Sequence, residues 1–312
     1  MNAPAKAGTA MRHQSWEYEC HVPGGIVVGV DGSPESIAAL NTAASIARVR
    51  RCPLHAATVV LPDSAHHVRA TNVEVSDNLR LTMKDFELRV LIDAFDPPGN
   101  WTHEVIVGRA ARSLTMLAER RGAGLIVMGR HEHPMLDRLT GGETTLQVVR
   151  NSTIPVFAVG VEIERVKKIV VATDFSDTSQ KAAAIACELV GGSGTVYLAY
   201  VESGLTTTGQ EITEGQRRHR GDVSEWFRSL KERLPVRHGV SLEPITLTGS
   251  SAPAIMDFAD RVGADLIAAG SHGHNLLERY ILGSVSTRLI REARCGVLIA
   301  PPSLASILSF HG

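Results

Sequence analysis

Glycine, serine and histidine residues are concentrated in the segment GSHGHNLLERYILGSVS, which begins at residue 270. Gly270, Gly273, Gly283 and Ser284 fit the pattern G-x2-G-x9-G-[ST]. Glycines let a backbone adopt a positive φ and approach a ligand closely. Free N–H groups and hydroxyls at a helix start bind phosphate. The segment therefore predicts a phosphate site, unless the glycines only form a turn and Ser284 only caps a helix.

A carboxylate follows an apolar run in the segment KIVVATDFS, where Ala172 and Thr173 precede Asp174. Ligands of parallel α/β sheets bind beyond the carboxyl ends of the strands, so Asp174 is a candidate ligand contact. An aspartate in this position can also form a turn or cap the next helix. Both interpretations of Asp174 stay open from the sequence.

The elements that position these residues occur twice in the chain. RGAGLIVMGRHEH at 121–133 matches VGADLIAAGSHGH at 262–274 with an offset of 141 residues, and GIVVGVDGS at 25–33 matches KIVVATDFS at 168–176. Such self-similarity indicates a duplicated unit. We expect a disordered leader at 1–23, a first domain at 24–161, a second domain at 166–302 and a tail at 303–312.

Short β-branched runs alternate with longer segments of helical periodicity in both units, which is typical of βαβ units. The sequence therefore predicts an α/β protein with two tandem doubly wound domains, each a five-stranded parallel sheet with helices on both faces. We expect strands at 25–30, 54–60, 102–107, 124–128 and 154–159, and at 168–172, 194–201, 242–247, 264–269 and 296–300.

Composition excludes several classes of partner. The 312 residues include 32 basic and 33 acidic side chains, so the net charge of -1 gives no field that attracts nucleic acid or a membrane. The four cysteines form no CxxC pair, and the HxH pairs lack the accompanying ligands of a metal site. We expect a cytoplasmic protein without a metal site, a nucleic-acid partner or a membrane partner.

Together the motif G-x2-G-x9-G-[ST], the strand ends VVATD and YLAYVES and the apolar strand VLIAPP resemble the universal stress protein family in its tandem form, over about 24–302. The resemblance implies an adenine nucleotide α-hydrolase-like fold that binds ATP, with or without Mg²⁺. It also implies pairing through the last strand of each unit, which makes an intramolecular pseudo-dimer. A homodimer and an unidentified protein partner are left open.

The resemblance also implies roles for individual residues of the second unit. Ala172, Thr173 and Asp174 would hold the adenosine, and Val201 would offer backbone contacts to the base. Ribose and phosphates would be surrounded by Gly270, His272, Gly273, Gly283, Ser284, Val285 and Ser286. No residue is assigned a catalytic role.

The first unit departs from the pattern at two decisive positions. Its segment GRHEHPMLDRLTGGETT has Glu132 in the place of Gly273 and Glu143 in the place of Ser284. Carboxylates at phosphate positions repel a triphosphate. We therefore expect the second unit to hold the nucleotide, and we interpret the first unit as degenerate.

Three functions are compatible with these patterns. The leading one is an ATP-binding stress-response or regulatory protein that signals through occupancy or partner contacts. An enzyme is disfavoured because the GxxxxGK[ST], SGGxDS and HxGH motifs of nucleotide-processing proteins are absent. Weak ATP hydrolysis is the most that we expect. The third is a dimerisation module, or a binding module for a lipid or another nucleotide.

Overall fold

The computed structural model describes residues 24–62, 77–130, 143–202, 214–272 and 282–302. The predicted leader and tail lie outside these ranges, as do Gly273 and Glu132. Three of the four histidines in the HxH pairs, His131, His133 and His274, also lie outside them. Within the described residues, no helix is long and apolar enough to cross a membrane.

Strands and helices alternate through the first unit. The elements are β1 (Ile26–Gly29), α1 (Pro34–Arg50), β2 (Leu54–Val60), α2 (Asp77–Asp93), β3 (Trp101–Val107), α3 (Ala110–Arg120), β4 (Leu125–Gly129), α4 (Glu143–Asn151) and β5 (Val156–Val159).

The second unit repeats that order. Its elements are β6 (Lys168–Ala172), α5 (Asp177–Leu189), β7 (Gly194–Glu202), α6 (Glu214–Arg233), β8 (Val240–Thr248), α7 (Ser251–Val262), β9 (Leu266–Gly270), α8 (Ser284–Glu292) and β10 (Gly296–Ala300). The predicted strands agree with these bounds to within two residues.

All ten strands form one sheet, in the order β3-β2-β1-β4-β5-β10-β9-β6-β7-β8. Each unit contributes five parallel strands in the doubly wound order, which confirms the predicted fold class. At the centre β5 pairs antiparallel with β10, and Phe157 lies opposite Leu298. The predicted meeting of the terminal strands is confirmed, and it joins the two units into a single continuous sheet.

Helices cover both faces of the sheet, which explains why the central strands are apolar on both sides. One core lies between the sheet and the helices α1, α2, α5 and α6, and a second core lies on the other face against α3, α4, α7 and α8. Ile26, Val27 and Val28 of β1 are completely buried because the two cores enclose them. This burial places the strand ends, and the loops that follow them, at one solvent-facing edge of each unit.

Polar contacts also connect the two units. The Arg50 guanidinium at the end of α1 lies 2.9 Å from the Glu188 carboxylate of α5, and both side chains are almost fully buried. The Ile163 amide between the units donates to the Thr42 hydroxyl over 2.9 Å. The first contact joins α1 to α5, and the second joins α1 to the segment between the units.

Candidate functional site

The end of β6 is shaped by a side-chain turn at Asp174. Its Oδ1 accepts hydrogen bonds from the Ser176 amide at 3.1 Å and the Ser176 hydroxyl at 2.5 Å. Between them Phe175 adopts a positive φ of 64°, which the turn imposes on a bulky residue. Ser176 then caps α5 by accepting from the Ser179 amide. Asp174 is therefore a turn former in the free protein, which is one of the two interpretations that the sequence leaves open.

Gly270, at the end of β9, is required by close packing. A Cβ at this position would lie 2.4 Å from Thr178 Oγ1 and 2.9 Å from the Thr178 carbonyl carbon, so only glycine lets β9 lie against α5. The prediction that Gly270 uses a positive φ is wrong, because its φ is not in that region. The close approach serves a helix of the same unit.

The start of α8 is tied to the end of β9. Gly283 precedes the helix with φ -58° and ψ 150°, and among the described residues no side chain caps the first amides of α8. The Gly283 amide donates to the Ser271 carbonyl at 2.8 Å, and the Ser286 hydroxyl donates to the Gly270 carbonyl at 2.6 Å. Ser284 is exposed as the first helical residue, so the predicted helix start is confirmed, and the alternative that Ser284 caps the helix is wrong.

Unsatisfied N–H groups are a general property of a helix start. The first amides of α8, at Ser284, Val285 and Ser286, have no acceptor within the helix itself. The peptide dipoles add partial positive charge at the same end. This end of α8 is chemically suited to an anion, because a glycine and not a capping side chain precedes it.

His272 lies between the end of β9 and the start of α5. Its carbonyl accepts from the Thr178 hydroxyl at 2.5 Å, and its Nδ1 lies 2.9 Å from the Ser271 hydroxyl. Burial lowers the pKa of His272 below its usual value of 6.5, and the backbone of Ser271 opposes this only in part. This lowering of the pKa favours the neutral imidazole of His272 in the protein without a ligand.

Val201 lies on β7 beyond the end of the neighbouring strand. The register of β6 with β7 ends at Ala172 opposite Ala199, and the Thr173 amide still donates to the Ala199 carbonyl at 2.9 Å. Alternate residues of a strand direct their backbone groups to the same side. Val201 therefore points its N–H and C=O past the end of β6, on the side of Asp174.

Those predicted site residues that the structure describes lie at one edge, because β6 pairs with both β7 and β9. Sequence reasoning missed Thr178, which contacts both Gly270 and His272, and Ser271, whose carbonyl holds Gly283. The only sequence signal for Thr178 is a hydroxyl in the first turn of the helix after the aspartate.

A cavity of about 310 Å³ lies beside this edge, between the start of α5 and α6. Phe175 packs its ring 5.4 Å from the Trp226 ring and 5.1 Å from the Phe227 ring, measured between centroids. The cavity is lined by Asp174, Phe175, Gln180, Trp226, Ser229, Leu230 and Arg233. Among the described residues, no group of three or more histidine, cysteine or acidic side chains is arranged to hold a metal ion.

The first unit has the same scaffold at the corresponding edge. Asp31 Oδ1 accepts from the Ser33 amide at 2.9 Å, as Asp174 does from Ser176. A Cβ at Gly129 would lie 2.7 Å from the Ser36 amide nitrogen, and the Thr145 hydroxyl donates to the Gly129 carbonyl at 3.2 Å.

The residue after the strand-end glycine differs between the units. Arg130 of the first unit is buried, and its guanidinium donates to the Ile290 carbonyl at 3.2 Å and to the Cys295 carbonyl at 3.1 Å. Ser271 stands at this position in the second unit. Arg130 thus holds the carboxyl-terminal end of α8, the helix whose amino-terminal end lies at the candidate site.

Comparison with known proteins gives a consistent picture. The sequence profile described as "Universal stress protein family" matches residues 25–160 and 165–301. A universal stress protein of Methanocaldococcus jannaschii is 36% identical over 140 residues, covering 43% of this chain and 81% of that protein. One of Mycolicibacterium smegmatis is 24% identical over 291 residues, covering 89% of this chain and 97% of that protein.

Solved structures share the fold. A universal stress protein from Archaeoglobus fulgidus superposes with a TM-score of 0.61 at 18% identity, covering 91% of this chain and 99% of its own. Another universal stress protein was solved in complex with cAMP; it covers 43% of this chain and 97% of its own, at 22% identity and a TM-score of 0.35.

Proposed function

The chain belongs to the universal stress protein family, and from this premise we propose that it is an ATP-binding regulatory protein of the stress response whose second unit holds the nucleotide. The observation that carries the proposal is the uncapped start of α8 beside the ends of β6 and β9. Free amides and an exposed Ser284 hydroxyl are the donors that a phosphate group needs.

The adenosine end would be held on the opposite side of the same edge. Val201 directs backbone donor and acceptor groups past the end of β6, where the edge of a base could pair with them. Asp174 already forms its turn through Oδ1, so a ribose hydroxyl would add a contact to a side chain that the fold has positioned. The phosphates would be surrounded by the residues predicted for them: Gly270, His272, Gly273, Gly283, Ser284, Val285 and Ser286.

Occupancy, and not turnover, would be the signal. Positioned bases are required for phosphoryl transfer to water at a useful rate. His272 uses Nδ1 toward Ser271, and Asp174 uses Oδ1 toward Ser176, so both polar side chains are engaged in holding the edge. Bound Mg²⁺ would supply positive charge against the phosphates.

Chromatography of nucleotide released from freshly purified protein by denaturation tests the proposal. ATP or ADP near one equivalent per chain supports it, and Ser284→Glu should remove that nucleotide while the matched change Glu143→Gln in the first unit should not. Rapid release of inorganic phosphate would instead identify an enzyme. Recovery of cAMP or a lipid would identify a different ligand, and the absence of any ligand would favour a dimerisation module.

A further inference from the structure

Helix α2 of the first unit exposes a row of large apolar side chains. Leu79, Met83, Phe86 and Val90 have exposed fractions of 51%, 53%, 66% and 51%. Their spacing of four, three and four residues places them on one face of the helix. The opposite face is occupied, because Leu88 and Ile92 are buried in the core against the sheet. We call the four exposed residues the α2 stripe.

The α2 stripe is a particular feature of the first unit. Of the described side chains on the corresponding helix α6, Trp226 is the one large apolar residue that is well exposed, at 43%. Single exposed apolar residues are normal on a soluble protein, whereas an aligned row marks an interaction site. If the fold required such a row, both units would have it. The row is therefore not explained by the fold.

We propose that the α2 stripe docks on the α2 stripe of a second copy of this chain, with the two helices antiparallel across a two-fold axis. The spacing is that of a coiled-coil seam, in which alternate three- and four-residue steps face the partner. An antiparallel arrangement centred between Met83 and Phe86 is self-complementary. It stacks Leu79 against Val90 of the second copy and Met83 against Phe86 of the second copy.

The charges beside the α2 stripe select the antiparallel direction. In that arrangement Arg80 lies beside Glu87 of the second copy, and the symmetry repeats this pair of opposite charges. A parallel arrangement would place Thr82 beside Glu87 and Arg89 beside Ala94, which pairs no opposite charges. Arg80 also makes an interaction within its own chain, and Glu87 lies 2.6 Å from Lys84. Both Glu87 and Lys84 are well exposed, so that surface pair can rearrange at small cost.

The expected dimer is weak and reversible. Four side chains per copy form a smaller contact than the roughly 800 Å² per partner of a standard interface. The dimer should therefore dissociate on dilution. It does not depend on nucleotide, because α2 packs on β2 and β3, away from the proposed site on β6, β7 and β9.

Sedimentation velocity of the full chain, over a series of protein concentrations, tests the proposal. The wild type should shift from one to two chains with increasing concentration, and Met83→Glu with Phe86→Glu should remain a single chain. Met116→Glu is the matched control, because Met116 is 56% exposed on α3. It should dimerise as the wild type does.

Charge reversal makes the test specific for a second copy. Arg80→Glu and Glu87→Arg should each raise the dimer dissociation constant by about tenfold, and the two together should restore it. The native melting transition of each variant shows that it is folded. A wild type that stays monomeric, a dimer that survives Met83→Glu with Phe86→Glu, or a wild type that dimerises only after removal of residues 1–23 would each overturn the proposal.

Discussion

The two units have the same backbone framework at the carboxyl ends of their strands, but the residues that follow this framework differ. Asp31 and Asp174 each form a turn with the second residue after them, and Gly129 and Gly270 each let a strand end touch the first helix of its unit. The differences lie after that scaffold, where Arg130 replaces Ser271 and Glu143 replaces Ser284.

This comparison separates residues of the fold from residues of the site. The aspartate and the glycine persist in the first unit, whose sequence departs from the phosphate motif, because both make contacts within their own backbone framework. Their presence therefore indicates the fold, and we propose that the start of the last helix of each unit decides binding. Glu143 is the first residue of α4, and a helix start favours an anion. We therefore propose that a phosphate binds at the start of α8, which Ser284 begins, and not at the start of α4.

Replacement of Arg130 should have the largest effect. Arg130→Met removes two hydrogen bonds from a buried cation and leaves the Ile290 and Cys295 carbonyls without that donor, so the free energy of unfolding in urea should fall by about 3 kcal/mol. Ser271→Ala, the corresponding change in the second unit, should cost about 1 kcal/mol or less. Equal losses for the two variants would contradict the idea that the first unit uses this position to hold the second.

Added methyl groups at the two strand-end glycines should separate stability from binding. Gly129→Ala and Gly270→Ala should each lower the free energy of unfolding by about 1–3 kcal/mol, since both overpack a strand against a helix. Calorimetric ATP affinity should fall with Gly270→Ala alone. An equal loss of affinity in both variants would show that unfolding, and not the local site, controls binding.

Asp31 and Asp174, which form the same turn in the two units, are a more closely matched pair of positions. Asp31→Ala and Asp174→Ala should each reduce stability by about 1 kcal/mol, because each removes a hydrogen bond to an amide two residues later. Asp174→Ala should also weaken ATP binding by about 1–3 kcal/mol. If affinity is unchanged in Asp174→Ala, Asp174 is a turn former and nothing more.

We expect the smallest effect from the two partly buried histidines, one in each unit, on the pH dependence of the free energy of unfolding. Burial lowers the pKa of His272, and burial with Arg121 nearby lowers the pKa of His55 in the first unit. The unfolded chain therefore binds more protons, and stability should fall as the pH drops through about 6.5. In His272→Gln and in His55→Gln, the urea concentration at half-unfolding should change less between about pH 7.5 and 5.5 than it does in the wild type. A midpoint that rises on acidification would contradict the assigned directions.

The sequence predicted the sheet well, because buried parallel strands are continuous apolar runs. The strands at 54–60, 168–172 and 296–300 have the predicted bounds. The role of Gly270 could not be predicted, since its neighbour Thr178 lies far away along the chain. Arg130 was missed for the same reason, because its acceptors are 160 and 165 residues distant. Gly273 and the side chain of Glu143 are not described, so their part in the site stays a prediction.

The number of ATP molecules bound per chain tests the central claim most directly. Two unit charges about 4 Å apart repel by roughly 4 kcal/mol at an effective dielectric constant near 20, so the carboxylates of Glu132 and Glu143 should exclude a triphosphate from the first unit. Isothermal titration calorimetry should give about one site per chain, and Ser284→Glu should abolish it. Two equivalent sites per chain, or a single site that survives Ser284→Glu, would contradict the account.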